Sequence, residues 1–163
     1  MLHISARGSP DGGLRFLTDD GGDAPVTDNG LRKLLAVYVE DGLVLIVLNA
    51  CWTADLADAL TEVVDCVIGT HGPLSDLHAI GYSRSLYLNL ACGRSVGHAH
   101  RAALAALEMY GADPALLPEL RTAPRVNADA VFLVAPEFRR PPRRAPIKPR
   151  GSAFLAKLRK PYR

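Results

Sequence analysis

The sequence predicts an α/β protein, a three-layer α/β/α sandwich built on a mostly parallel sheet. Three observations carry that expectation. Leu43-Val44-Leu45-Ile46-Val47-Leu48 is an uncharged apolar run, the pattern of a strand covered on both faces. Cys66-Val67-Ile68-Gly69 is a second such run, separated from the first by apolar residues at helical spacing. Further helical segments alternate with these runs, and strands alternating with helices close into layers on both sides of a sheet.

The 163 residues, 48% hydrophobic, suffice for one domain with a buried core. No run approaches the roughly 18 apolar residues of a membrane span, and the amino terminus lacks a basic–apolar leader. Three cysteines without regular spacing make no disulfide framework, which points to a reducing, cytoplasmic setting. The net charge of +2 hides an asymmetry. Of 19 Lys/Arg, ten fall in residues 139–163 together with no acid, leaving nine bases against 17 acids elsewhere. The body is near −8 and the tail is +10.

Taken in order, Leu2-His3-Ile4-Ser5 predicts a short strand, and the Gly- and Pro-rich Arg7 to Gly13 a loop. Leu14 to Leu17 and Ala24-Pro25-Val26 read as the arms of a hairpin on the rim of the sheet. Thr27 caps a helix with the stripe Leu31, Leu34, Leu35 and Tyr38, running to about Val39. The apolar strand from Leu43 follows, and Thr53 caps a helix carrying Leu56, Leu60, Val63 and Val64. After the strand Cys66–Gly69, Ser75 caps a helix that buries Ile80, Tyr82, Leu86, Tyr87 and Leu90 and stops at Gly93. Ser95 caps another, with Ala99, Ala102, Leu104, Leu107 and Tyr110, closing at Gly111. Ala130 to Val134 reads as the last strand. Residues 1–135 thus form the domain. The Pro/Arg-rich residues 136–163 form a basic tail expected to be disordered, which keeps the acidic body dispersed or tethers it to a partner. With few aromatics and no recognisable module, this tail does not point to nucleic acid.

Cys51 stands out by position. It follows the central strand and precedes a helix, where open α/β sheets place their ligand crevice and where the nucleophilic thiolate form is favoured. Cys66 and Cys92 read as core residues. His78, His98 and His100 sit on helices without metal-ligand spacing, and there is no phosphate-binding loop, so neither metal nor cofactor is expected.

Several blocks carry a family likeness. His3-Ile4-Ser5-Ala6-Arg7-Gly8-Ser9, Leu48-Asn49-Ala50-Cys51-Trp52-Thr53-Ala54, the stretch Ala57 to Gly69, Asp76 with Ala79-Ile80, and Gly93-Arg94-Ser95-Val96 occur in the order of a bacterial CHAT domain. Across roughly residues 1–112 the chain resembles the caspase-like cysteine peptidases of that type. The resemblance puts Cys51 at the nucleophile position, Arg7 where the family keeps its catalytic histidine, and Gly8 at an oxyanion-hole amide. Arg7 lies 44 residues before Cys51, close to the spacing of about 50 between histidine and cysteine in caspases.

Arginine departs from that pattern with a chemical consequence. Its guanidinium has donors only and stays protonated, so it cannot hand a proton to the leaving amine of a peptide. Two histidines are candidate substitutes. His71 follows the second strand and is expected at the same crevice, whereas His3 lies within a strand. Asp76 serves its helix terminus, with a lesser role in a substrate pocket implied by the resemblance. The family fold also has strands ahead of the His3 block. The resemblance therefore implies a caspase-like domain lacking its first strands, with an open sheet edge. A start placed too late, a gene remnant, or a partner chain completing the sheet would each account for that.

The reading favoured by these observations is a degenerate cysteine peptidase domain acting through protein or peptide partners in a cytoplasmic bacterial signalling or defence system. Its rival is an active cysteine endopeptidase in which Cys51 works with His71 or His3.

Overall fold

The computed structural model describes residues 1–10 and 13–139. Their larger sheet has four strands, in the order β1 (Leu2–Ser5), β5 (Leu45–Asn49), β6 (Cys66–Gly69) and β7 (Glu119–Thr122). β1, β5 and β6 run parallel, and β7 is antiparallel to β6. A second sheet joins β2 (Arg7–Gly8), β3 (Leu14–Leu17) and β4 (Asp23–Pro25), all antiparallel.

Alternation along the central strands divides the core. Ile46, Leu48 and Val67 face one side, packed under Leu31 and Leu35 of α1 (Asp28–Glu40) and Leu56, Ala57 and Leu60 of α2 (Ala54–Leu60). Leu45, Val47, Cys66 and Ile68 face the other side. There they meet Tyr82, Leu86 and Leu90 of α3 (Asp76–Ala91) and Val96, Ala99, Ala103 and Leu107 of α4 (Val96–Met109). The three-layer α/β sandwich with a mostly parallel sheet is therefore present. With both faces covered, β5 has no polar position before Asn49, as its sequence required. Burial pushes the Cys66 thiol up to about 11, aided by the neighbouring Asp65 charge, and makes it a core side chain.

Helix starts follow their caps. Thr27, Ser75 and Ser95 each accept a hydrogen bond from the backbone N–H three residues on. Left-handed glycines, Gly93 at φ 75° and Gly111 at φ 78°, end α3 and α4. Among the described residues no helix is long and apolar enough to cross a membrane.

Several expectations are corrected. Ala130–Val134 is not a strand. Ala128–Ala130 is a 3₁₀ turn, and Val131 turns its carbonyl to the amide of Val96 at the start of α4. Val131 and Leu133 pack against the α3–α4 core, so a run that looks like a strand is apolar because it seals helices. The fourth strand is Glu119–Thr122, whose polar sequence suits an edge. The hairpin does not extend the main sheet. It pairs with Arg7–Gly8, expected to be loop, in a sheet of its own. The central strand begins at Leu45, two residues later than expected, and α2 ends at Leu60, leaving Val63 and the buried Val64 in the following turn. Ile80 was expected inside but is 65% exposed, because α3 buries a narrower stripe than its apolar content offers. The basic tail lies outside the described residues beyond Arg139.

Candidate functional site

Parallel strands end on the same side of a sheet, so β1, β5 and β6 deliver Ser5, Asn49 and Gly69 to one rim. Ligand crevices of open α/β sheets form there. On this rim lies a cleft of about 320 Å³, lined by Ser5, Ala6, Arg7, Gly8, Asn49, Ala50, Cys51, Thr70, Leu74, Asp76 and Ala79. The Cys51 residue is partly buried and its thiol is free.

The turn that presents Cys51 is unusual. Trp52, the next residue, has a φ of 52°, a left-handed conformation seldom adopted by a bulky side chain. Thr53 then leads into α2, but its hydroxyl does not cap that helix as expected. Instead it donates to the Ala50 carbonyl at 3.0 Å and accepts from the Thr70 amide at 3.1 Å. Gly8 approaches from the other side. A Cβ there would land on the backbone carbonyl of Cys51, so only glycine fits. The Arg7–Gly8 segment and the Cys51 turn are thus brought together.

Arg7 lines the cleft, yet its guanidinium pairs with Asp23 of β4 at 3.6 Å and its side chain is 69% exposed. Asp76 occupies the first turn of α3, next to the Ser75 cap, and lines the side of the cleft formed with Leu74 and Ala79. A carboxylate there suits the positive end of the helix and also faces anything bound in the cleft.

The two candidate histidines are placed elsewhere. His3 hydrogen-bonds the Tyr87 hydroxyl of α3, on the face opposite α1, and burial lowers its tendency to protonate. His71 does follow β6, but its Nε2 lies 3.1 Å from Glu119 Oε2 and 3.3 Å from Arg121 Nη2 on β7. Neither lines the cleft. His100 is buried between α4 and α3, bonded through Nδ1 to the Tyr82 hydroxyl at 2.7 Å. Among the described residues no three His, Cys, Asp or Glu side chains gather as they would around a metal ion.

Sequence reasoning found Cys51, Arg7, Gly8 and Asp76 but missed Ser5, Asn49 and Thr70. The first two end adjacent parallel strands in register with one another, a signal available once both strands were placed. Thr70 follows β6 at the same rim and had the same signal.

No family model matches the chain. Over 113 residues it is 27% identical to a protein named Roc-COR-CHAT protease from an unknown prokaryotic organism, an alignment that takes in 66% of this chain and 11% of that protein. The chain spans about a ninth of that relative's length. This likeness points to a CHAT-domain relationship.

Proposed function

We propose that the chain is a caspase-like domain of the CHAT type, descended from a cysteine peptidase and now acting as an interaction or regulatory module in a cytoplasmic bacterial signalling or defence system. Cys51 keeps the nucleophile position, Gly8 the oxyanion-side approach, and Arg7 stands in place of the histidine. One observation carries the reading: among the described residues no imidazole lines the cleft around Cys51, and His3 and His71 are engaged at Tyr87 and at Glu119 and Arg121. Peptide cleavage needs a group that takes the thiol proton and returns it to the leaving amine, and arginine can do neither near neutrality. Loss of one member of such a dyad typically lowers the rate by several powers of ten.

The partner role is supported by the free side of β1. Among the described residues β1 pairs with β5 alone, and Leu2–Ser5 carries none of the charges or prolines that guard exposed edges. At the start of that strand, the half-exposed Tyr38 of α1 forms a groove with Met1, Leu2 and Leu43. A protein segment that adds a strand there and covers these side chains is the partner we propose.

The test treats the purified chain with a thiol-reactive peptidyl electrophile and with fluorogenic peptide amides bearing basic, acidic or aliphatic residues before the scissile bond. The expected result is slow labelling that disappears in Cys51→Ala, with no peptide turnover. Arg7→His is expected to bring Cys51-dependent turnover. Cys51-dependent turnover by the unaltered chain would overturn the reading.

A further inference from the structure

We infer that Thr53 and Thr70 are positioning residues, a buried pair of hydroxyls that locks the Cys51 turn and holds its partly buried thiol in place. The inference concerns how the thiol is held and stands whether or not the domain descends from a peptidase.

The geometry is reciprocal. The Ala50 carbonyl accepts two hydroxyls, from Thr53 at 3.0 Å and from Thr70 at 2.9 Å. The Thr53 oxygen in turn accepts the Thr70 amide at 3.1 Å. The Thr70 carbonyl closes the set by accepting the Thr53 and Ala54 amides at 2.7 and 3.0 Å. Both threonines are buried, at 0% and 3% exposure, so these groups have no solvent to replace a lost partner. Ala50 and Thr53 bracket Cys51 and Trp52, and the clamp therefore fixes both ends of the two-residue arch.

An arch of this kind needs fixing. The left-handed φ of Trp52 persists only where the surroundings over-determine it. Gly69 adds to that constraint, since a Cβ on it would come within 2.7 Å of the Thr53 carbonyl and hold the two loops apart. Thr70 follows β6 directly, so the arch after β5 is referenced to the neighbouring strand. The direction of the thiol is thereby tied to the central sheet as well as to the Gly8 backbone packed against it.

Threonine offers a clean test, because valine keeps its shape without the hydroxyl and serine keeps the hydroxyl without the methyl. Iodoacetamide labelling of the full chain, resolved by peptide mass, gives the rate at Cys51 with the partly buried Cys92 as reference and the buried Cys66 as a monitor of global opening. Thr53→Val and Thr70→Val are expected to raise the Cys51:Cys92 rate ratio about tenfold with Cys66 still protected, the scale of one lost buried hydrogen bond. Thr53→Ser and Thr70→Ser are expected to stay within about twofold of the unaltered chain. Thr70→Val keeps the Thr53–Thr70 backbone bonds and serves if Thr53→Val does not fold. An unchanged ratio in the valine variants overturns the inference. So does a serine effect as large as the valine one, or Cys66 labelling that rises in step with Cys51.

Discussion

The wall of the cleft that carries Cys51 is made from the ends of β5 and β6 and rests on the buried core, whereas the wall that carries Arg7 belongs to the small sheet and stands in solvent. Leu45 to Leu48 are at most 2% exposed, and Thr53 and Thr70 are as well enclosed. Across the cleft, Phe16 and Leu17 of the small sheet are 39% and 66% exposed, and the Arg7 side chain turns outward to its ion pair with Asp23. The thiol is therefore held by residues that the fold cannot exchange without loss. The position opposite rests on a small sheet whose β3 reaches the core through Leu14 alone and leaves Arg15, Phe16 and Leu17 exposed. That difference gives a physical account of how a nucleophile position can persist after its partner has changed.

The largest expected contrast is between matched truncations in the two sheets. Leu48→Ala removes a buried side chain beneath the Cys51 turn and is expected to cost about 2–5 kcal/mol. Leu17→Ala on the small sheet should change stability by no more than about 0.5 kcal/mol. Urea unfolding of both variants measures the pair, and equal losses would break the distinction between the walls.

Acid should act on the helix layer supporting the Cys51 wall. Burial, with help from the Arg101 charge and against that of Glu119, lowers His100 from 6.5 to about 4. Between these values the unfolded chain binds the proton and the folded chain does not, so stability falls as pH drops below about 6.5 and stops falling from this source near 4. Between about pH 7 and about pH 5 the loss is expected to reach about 2 kcal/mol. His3, lowered by burial as well, adds in the same direction. His100→Gln should flatten most of that slope in urea titrations, and a slope unchanged by the substitution would place the proton uptake elsewhere.

Gly8→Ala probes the seam between the walls. The added Cβ would meet the Cys51 carbonyl, so one wall must move at a cost of about 1–3 kcal/mol. Because the Cys51 side is clamped, the small sheet should yield, which amide exchange in residues 14–17, 23 and 24 would register as faster opening. Faster exchange at residues 50–54 instead would reverse the assignment of the stiffer wall.

Much of the stiff wall was legible in the sequence because burial on both faces leaves a one-dimensional mark. The run ending at Asn49 located the central strand, and the parallel order that follows from it placed Cys51 at the rim. The clamp left no such mark. The Thr70 hydroxyl meets the Ala50 carbonyl across 20 residues, and a threonine before a helix reads first as a cap. His71 shows the same limit: its place after β6 was right, but its direction depends on Glu119 and Arg121 of a strand too polar to be recognised. Val131 and Leu133 misled in the opposite sense, since packing against helices and pairing in a sheet leave the same short apolar run.

The smallest effect on stability belongs to Asp23→Asn, and it bears most directly on the Arg7 wall. The Arg7–Asp23 pair is long and largely solvated, so its loss should change the unfolding free energy by less than about 1 kcal/mol. Local charge changes more, because the guanidinium beside the cleft loses its paired carboxylate and Asp76 alone among the lining residues then opposes it. Labelling of Cys51 by the anionic iodoacetate should gain on labelling by neutral iodoacetamide, by about two- to threefold at low salt and less as salt screens the field. A matching fall in that ratio in Arg7→Ala would show that the arginine is felt at the thiol. If neither substitution moves the ratio, Arg7 is electrostatically remote from Cys51, and the thiol wall stands alone.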